Sequence, residues 1–468
     1  MRYILEKPYC LRGWKGSSTG LYHAEKHAAI FLTRDRYRLL LRCDGVYEFV
    51  PENLQDEENA FLREMQEAGV IRPAWIGEIR LPEQEYRVFP CRFRENAEWS
   101  VTGACNLRCR HCFMSAPEAR HGIPSLQELK STADQLAECG IFSVDITGGE
   151  PLTRKDFPQI LDLLKERGIG VRTLLTNGWL VDDALLDALE ERGFHPEFQM
   201  SFDGVGWHDF LRGIPGAEER TLNAFRCLQK RNFRSSAAMV LHRKNRNTLR
   251  DTALLLSSLG VSILKCGAAM ELGEWVQPEV RDLRISRREE LEIYEQYIPQ
   301  YFEDGAPLGI NLSGAFSYTP GESTWEDRGN RTVQETDLSC GTIFRCIFIG
   351  ADGVVAPCMG MAESEAAGQL PSLHSEKLCD ILNNPDFNRL CSVAVRDIRE
   401  AHPECRSCGY AGQCDGGCRF RAVLCGNGYY GIDPGKCVFF RDGWSERIRA
   451  AAQPALEEYL KKKATAAE

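Results

Sequence analysis

The chain lacks any uninterrupted apolar run long enough to cross a bilayer, which excludes a transmembrane helix. Its first residues, Met1-Arg2-Tyr3-Ile4-Leu5-Glu6-Lys7, lack the apolar core and small-residue cleavage site of a secretory signal. A cytoplasmic protein is therefore expected, with no membrane partner. Positive charge is also in deficit: 57 Lys and Arg face 67 Asp and Glu, a net charge of −10. That argues against a nucleic-acid partner, which would normally meet a basic surface. At 43% hydrophobic and 26% charged residues the composition is that of an ordinary globular protein, and 468 residues suffice for roughly three domains.

Cysteine is what the chain has in excess, with twenty residues. In a secreted chain they would be read as disulfides. Without a signal, and with most of them in tight clusters, reduced thiols bound to metal are the better reading. A reducing, anaerobic cytoplasm is the expected setting. The first cluster is Cys105-x3-Cys109-x2-Cys112, followed by Phe113. A structural zinc site would want four ligands in paired groupings. Here only His111 lies near, awkwardly placed between two of the cysteines. A [4Fe–4S] cluster takes four thiolates. A loop that delivers three leaves one iron open to a non-protein ligand.

From Glu98 the hydrophobic pattern alternates strand and helix. Strands are expected at 99–102, 142–146, 171–175, 197–201, 237–241 and 262–265. The helices between them lie near 126–139 (capped by Ser125), 157–167, 182–192, 223–230 and 249–259, and a further one spans 287–302. Such alternation predicts a parallel sheet with right-handed crossovers, closed or nearly closed into a barrel. Chemistry then belongs at the C-terminal ends of the strands. The cysteine loop follows the first strand. After the second comes Thr147-Gly148-Gly149-Glu150-Pro151, where glycines let a ligand approach the backbone. After the third comes Thr176-Asn177-Gly178. After the fourth comes Ser201-Phe202-Asp203-Gly204, then His208-Asp209 and Arg212-Gly213, with groups suited to hydroxyls and a carboxylate.

The first hundred residues are read as strands at 27–33, 37–42 and 46–50, with a hairpin turn at Asp44-Gly45. A helix follows from about Asn53 to Ala68, ended by Gly69, with a short strand at Val70-Ile71. Edge-strand addition would let such a domain hold a peptide, and a structural cap on the next domain is the competing reading. Gly305 to Glu326 reads as a linker. Beyond it stand Cys340-x5-Cys346, Cys358, the run Cys405-x2-Cys408-x5-Cys414-x3-Cys418, and Cys437. Eight cysteines suit two four-ligand clusters, and a zinc ribbon would use the same thiolates. Cys379, Cys391 and Cys425 are left over. Cys10, Cys43 and Cys91 read as scattered core or surface thiols, and Cys139, Cys227 and Cys266 as packed thiols. A final helix is expected from Trp444 to Lys463.

Together these motifs resemble the radical S-adenosylmethionine (radical SAM) enzymes, and the C-terminal pattern resembles their SPASM extension, over about residues 98–440. The resemblance implies an α/β fold: a partial (β/α)6 TIM-like barrel between a small N-terminal α+β domain and a C-terminal SPASM domain. The implied boundaries are 1–97 (winged, leader-peptide-binding-like), 98–304 (barrel), 305–336 (linker), 337–440 (SPASM) and 441–468 (helix). It also implies SAM and three [4Fe–4S] clusters. Cys105, Cys109 and Cys112 would hold the cluster whose open iron chelates SAM, and an electron from it would yield a 5′-deoxyadenosyl radical. Phe113, Thr147, Gly148, Gly149, Glu150, Asn177, Ser201, Asp203 and Arg212 would form the SAM site, Asp203 as support and His208 as structure. Cys340, Cys346, Cys358 and Cys418 would hold one auxiliary cluster, and Cys405, Cys408, Cys414 and Cys437 the other.

The implied function is maturation of a ribosomally made precursor peptide carrying a leader, with a Cys thioether crosslink as product and a flavodoxin- or ferredoxin-type electron donor as partner. Carbon–carbon crosslinking, decarboxylation, epimerisation and modification of a small molecule such as a tetrapyrrole are rival activities. A zinc-binding or electron-transfer module is the non-enzymatic rival. One departure matters: sulfatase-maturing enzymes of this branch carry an aspartate base after the cysteine matching Cys358, whereas Met359 stands here. That counts against formylglycine formation.

Overall fold

The computed structural model describes residues 1–15, 18–26, 28–364 and 368–467. Among the described residues, six strands fall within the first ninety positions: β1 (Tyr3–Leu5), β2 (Tyr9–Trp14), β3 (Ser18–His23), β4 (Ala28–Phe31), β5 (Ile71–Pro73) and β6 (Arg87–Phe89). β2, β3 and β4 form an antiparallel meander, β6 joins β2 in parallel, and β1 pairs with β5. The expected strand at 27–33 is present as β4, although its first residue, His27, lies outside the described residues.

The expected strand at 37–42 is instead a helix, Arg34–Leu41, which buries Tyr37, Leu39 and Leu40. So short an apolar run carries too little periodicity to separate the two states. The hairpin at Asp44-Gly45 is also replaced. The Asp44 carboxylate accepts the amides of Val46 (2.7 Å) and Tyr47 (2.8 Å), a local turn held by its own side chain, and no strand follows. The domain is anchored on the barrel by aromatic packing: Phe89 lies against Trp14 and Phe142, with ring centroids 5.6 and 5.5 Å apart.

The barrel strands are β7 (Asn96–Ser100), β8 (Ser143–Thr147), β9 (Gly170–Thr176), β10 (Glu197–Ser201), β11 (Ser235–Leu241) and β12 (Ile263–Ala268). They pair consecutively and in parallel, as the alternation predicts. The intervening helices bury one face each. Leu126–Glu138 starts from a capping box at Ser125 and Glu128 and buries Leu129, Ala133 and Leu136 at helical spacing.

The sheet does not stop at six strands. Residues expected as linker contribute β13 (Gly309–Leu312), parallel to β12, and β14 (Phe316–Tyr318), antiparallel to β13. At the other edge β15 (Cys346–Ile349) pairs in parallel with β7, and β16 (Val355–Ala356) pairs with β15. The ten strands run β14-β13-β12-β11-β10-β9-β8-β7-β15-β16, and the two ends do not pair, so the barrel is open. The cysteine-rich segment is thus fused to the barrel through the β7–β15 ladder. A C-terminal helix, Trp444–Ala467, packs on Arg287–Glu303 through Ile448, Ala452 and Leu456, one turn apart. Among the described residues no helix is long and apolar enough to cross a membrane.

Candidate active site

The cysteine loop leaves the C-terminal end of β7 and is gripped by backbone on three sides. The Gly149 and Glu150 amides donate to the Thr102 and Ala104 carbonyls, each at 2.8 Å. A Cβ on Gly149 would stand 2.3 Å from the Ala104 oxygen, so only glycine allows this approach. On the second side the Arg108 and Arg110 amides donate to Arg212 (3.2 Å) and Leu211 (2.9 Å). Gly213, at φ +73°, closes that contact: its Cβ would lie 2.2 Å from the Arg108 oxygen. On the third, the Glu274 amide donates to the Cys112 carbonyl at 2.8 Å. Three strand-end segments far apart in the chain therefore fix one loop.

Each thiol of the loop has an N–H aimed at its sulfur. Leu107 donates to Cys105 at 3.4 Å, Arg212 Nη1 to Cys109 at 3.6 Å and Ala116 to Cys112 at 3.4 Å. Such donors suit cluster thiolates, whose charge they offset. Burial pushes the Cys105 thiol up to about 12 and raises Cys112, so binding of iron has to displace protons. Burial, and then the Arg212 charge, push the His111 imidazolium down to about 3, which leaves that ring neutral near neutral pH.

Behind the loop lies a buried ion pair. Arg212 Nε donates to Asp203 Oδ2 at 2.7 Å. Burial alone would raise the Asp203 carboxyl, but the guanidinium and then His208 outweigh it and hold it well below the usual range. Asp203 Oδ1 also accepts the Val240 amide at 3.0 Å. The fully buried His208 ring accepts the Asp203 amide at 3.0 Å and lies 3.3 Å from the Thr221 hydroxyl. It is a structural residue.

A cavity of about 490 Å³ opens over the loop, within the roughly 300–1,000 Å³ of small-molecule sites. Cys105, Cys109, Cys112, Phe113, Thr147, Gly148, Gly149, Asn177, Ser201 and Arg212 all line it. Asp203 and Glu150 do not. Glu150 is read from the sequence as part of the SAM site, and the structure places it as a clamp. Its fully buried carboxylate accepts the Thr176 hydroxyl and the Asn177 amide at 2.7 Å each and the Leu152 amide at 3.1 Å, tying the end of β8 to the end of β9. Burial lifts it to about 7.

Part of the lining lies outside the sequence motifs. Gln199 shares a strand face with Ser201, which period two could have revealed. Met270 and Leu272 come from the segment after β12. Met359, Gly360 and Phe420 come from the cysteine-rich region and roof the cavity, and no local pattern signals that.

Cys405, Cys408, Cys414 and Cys437 line one small cavity of about 50 Å³, and the Gly416 amide donates to Cys414 at 3.4 Å. Cys340 and Cys418 line a second, larger cavity, while Cys358 packs with Cys418 in the apolar cluster around Phe348 and Phe420. Cys346 opens β15 beside β7, where the Asn96 side-chain amide donates to it at 3.5 Å. Burial pushes Cys346 and Cys358 to about 12 and Cys437 to about 11. Among the described residues no three His, Cys, Asp or Glu side chains stand close enough to share one metal ion. Of the leftover thiols, Cys391 is buried, Cys379 half-buried and Cys425 exposed.

The open barrel thus gathers three thiols, a glycine turn and a buried Arg–Asp pair at its strand ends, an arrangement suited to holding a cofactor. Residues 99–256 match the radical SAM superfamily and residues 340–409 match the SPASM iron-sulfur cluster-binding domain. The chain thus carries a radical SAM domain followed by a SPASM domain, and it is an enzyme. It is 26% identical over 412 residues to the antilisterial bacteriocin subtilosin biosynthesis protein AlbA of Bacillus subtilis, covering 84% of this chain and 85% of that one. It is also 26% identical over 367 residues to the AdoMet-dependent heme synthase of Methanosarcina barkeri, covering 73% and 95%. The fold is similar to that of SuiB from Streptococcus suis, solved with its precursor peptide SuiA. The TM-score is 0.62 at 14% identity, over 93% of this chain and 99% of that one.

Proposed function

We propose that this enzyme matures a ribosomally made precursor peptide by installing a thioether between a cysteine sulfur and a carbon of another residue. The observation that carries this reading is the convergence of the three-thiol loop, the glycine turn, Ser201 and Arg212 on one cavity roofed by the SPASM region. An electron-transfer module needs none of the last three. AlbA serves bacteriocin biosynthesis and SuiB was captured with a precursor peptide, which supports a peptide substrate here.

With iron, sulfide and SAM bound, the site supplies reductive SAM cleavage and hydrogen abstraction. The chain's own residues hold and shield that chemistry. Cys105, Cys109 and Cys112 are assigned to the SAM-binding cluster. The Thr147–Gly149 carbonyls would receive the SAM ammonium, and Ser201 and Arg212 would hold its ribose and carboxylate. Phe113 and Asn177 complete the wall. Val240, Met270, Leu272, Met359 and Phe420 present apolar surface that excludes water. Cys340, Cys346, Cys358 and Cys418 are assigned to one auxiliary cluster and Cys405, Cys408, Cys414 and Cys437 to the other. The domain spanning 1–97 is assigned to the leader, and a flavodoxin or ferredoxin to electron delivery.

The test is anaerobic. The enzyme is reconstituted with iron and sulfide and given SAM, reductant and a short cysteine-containing peptide encoded beside its gene. The peptide is then weighed before and after thiol alkylation. Loss of two hydrogens together with one alkylatable cysteine is expected. Loss of two hydrogens with every thiol free replaces the thioether by a carbon–carbon or carbon–oxygen crosslink. An unchanged peptide beside abundant 5′-deoxyadenosine turns the search to small molecules, the activity class named for the heme synthase relative. SAM cleavage surviving Cys105→Ala removes the whole assignment.

A further inference from the structure

One histidine joins the loop under the SAM cavity to the helix over it. His121 lies in the segment that follows the cysteine loop. Its neighbour Gly122 is packed against the start of that loop, where the Gly103 amide donates to the Gly122 carbonyl at 2.8 Å. A Cβ on Gly103 would stand 2.7 Å from the same oxygen, so the two segments touch backbone to backbone. The His121 ring reaches the SPASM region. Its Nδ1 lies 2.7 Å from Asp352 Oδ2, in the turn between β15 and β16, and its Nε2 lies 3.1 Å from Glu363 Oε2. Glu363 ends the short helix Met359–Ala362, which begins directly after Cys358. That helix supplies Met359 and Gly360 to the roof of the cavity.

The tie needs a charged ring. Carboxylates only accept, so both contacts are hydrogen bonds only when both ring nitrogens carry hydrogen. A neutral ring would donate to one carboxylate and set a lone pair against the other. The hydrogen bond to Asp352, then that to Glu363, raise His121 to about 9, which keeps it an imidazolium near neutral pH. The Glu363 side chain is only 3% exposed, and among the described residues His121 is its carboxylate's one hydrogen-bond partner. Removing the imidazolium therefore strands a buried carboxylate at the end of the roof helix, which is unfavourable beyond the loss of the bond itself.

We propose that His121 is a positioning residue for SAM, holding the Met359–Gly360 roof against the cysteine loop so that the bound cofactor is enclosed. It acts through the roof helix and touches no reacting atom. The proposal rests on the assignment of SAM to this cavity and is independent of the peptide and of the bond made in it. The three backbone grips that fix the thiol loop, at Gly149 and Glu150, at Arg212 and Leu211, and at Glu274, do not involve His121. Iron should therefore load without it, and the deficit should fall on SAM.

The test uses the full, cluster-loaded chain without peptide. Formation of 5′-deoxyadenosine from SAM under excess reductant gives KM and kcat for the wild type, His121→Gln, Asp352→Asn and His121→Gln/Glu363→Gln. His121→Gln should raise KM for SAM about tenfold or more, because the closed roof is less populated, with kcat within about threefold. Asp352 is the more exposed partner, so Asp352→Asn should raise KM less, in the same direction. The double variant removes the stranded carboxylate and should bring KM back to within about threefold of wild type. Iron per chain should equal that of the wild type throughout. An unchanged KM in His121→Gln, or a fall in kcat at constant KM, would overturn the proposal. So would a double variant no better than His121→Gln. Loss of iron would overturn it too, by making His121 a brace of the cluster loop alone. A wild type that forms no 5′-deoxyadenosine would remove the SAM assignment and this proposal with it. The expected kinetics with no peptide ever modified would remove the maturase reading and leave the role of His121 standing.

Discussion

Replacing Asp203 by Asn isolates what the buried ion pair contributes. Asparagine keeps the shape and can still accept the Val240 amide, but it removes the charge opposite Arg212. Arg212 is only 7% exposed, and has its Nε 2.7 Å from Asp203 and its Nη1 3.6 Å from Cys109. Stranding a buried charge costs about 3–5 kcal/mol. At about 1.4 kcal/mol per factor of ten, local opening of the β10–β11 region becomes between two and four powers of ten more frequent. Hydrogen exchange at Val240 and its neighbours reads this directly. The two changes should also be non-additive: Asp203→Asn combined with Arg212→Met, which removes both charges, should cost less than Asp203→Asn alone. Exchange rates within a factor of three of wild type, or additive losses in the double variant, would refute the account (thresholds of roughly 0.6 and 0.5 kcal/mol).

Three further outcomes are expected. His121 lies 2.7 Å from Asp352 and 3.1 Å from Glu363, linking the strap after the cysteine loop to the SPASM region. The hydrogen bond to Asp352 and then that to Glu363 lift it to about 9. A raised histidine stabilises fully below its unfolded value near 6.5 and loses that contribution as pH passes about 9. Melting curves of wild type and His121→Gln should therefore differ at pH 6 and converge above about 10. Gly213→Ala puts a Cβ 2.2 Å from the Arg108 carbonyl at φ +73°. Iron analysis should show less iron per chain than in the wild type. Glu150→Ala strands the buried Asn177 amide and Thr176 hydroxyl, each at a cost of about 1–3 kcal/mol, and should weaken SAM retention in equilibrium dialysis although Glu150 lines no part of the cavity.

The sequence by itself determined the parts whose signal is local. The Cys105/Cys109/Cys112 spacing, the Gly148-Gly149 turn and the Ser201–Arg212 stretch each lie within a dozen residues, and strand–helix alternation placed them at the same ends of parallel strands. Hydrophobic periodicity is a property of neighbouring residues, so β7 to β12 were legible without partners.

Tertiary structure decided what depends on distant chain segments. The helix at Arg34–Leu41 won over a strand because Tyr37, Leu39 and Leu40 found a core to bury in. The linker became β13 and β14 because the β12 edge offered unpaired backbone groups, and β15 met the β7 edge for the same reason. Glu150 turned from a contact into a clamp once Thr176 and Asn177 came within reach, and Met359 and Phe420 became the roof only when the SPASM region folded over the strand ends. Hydrogen bonds and cavities join residues by proximity in space, and that proximity is set by the whole fold rather than by any window of the chain.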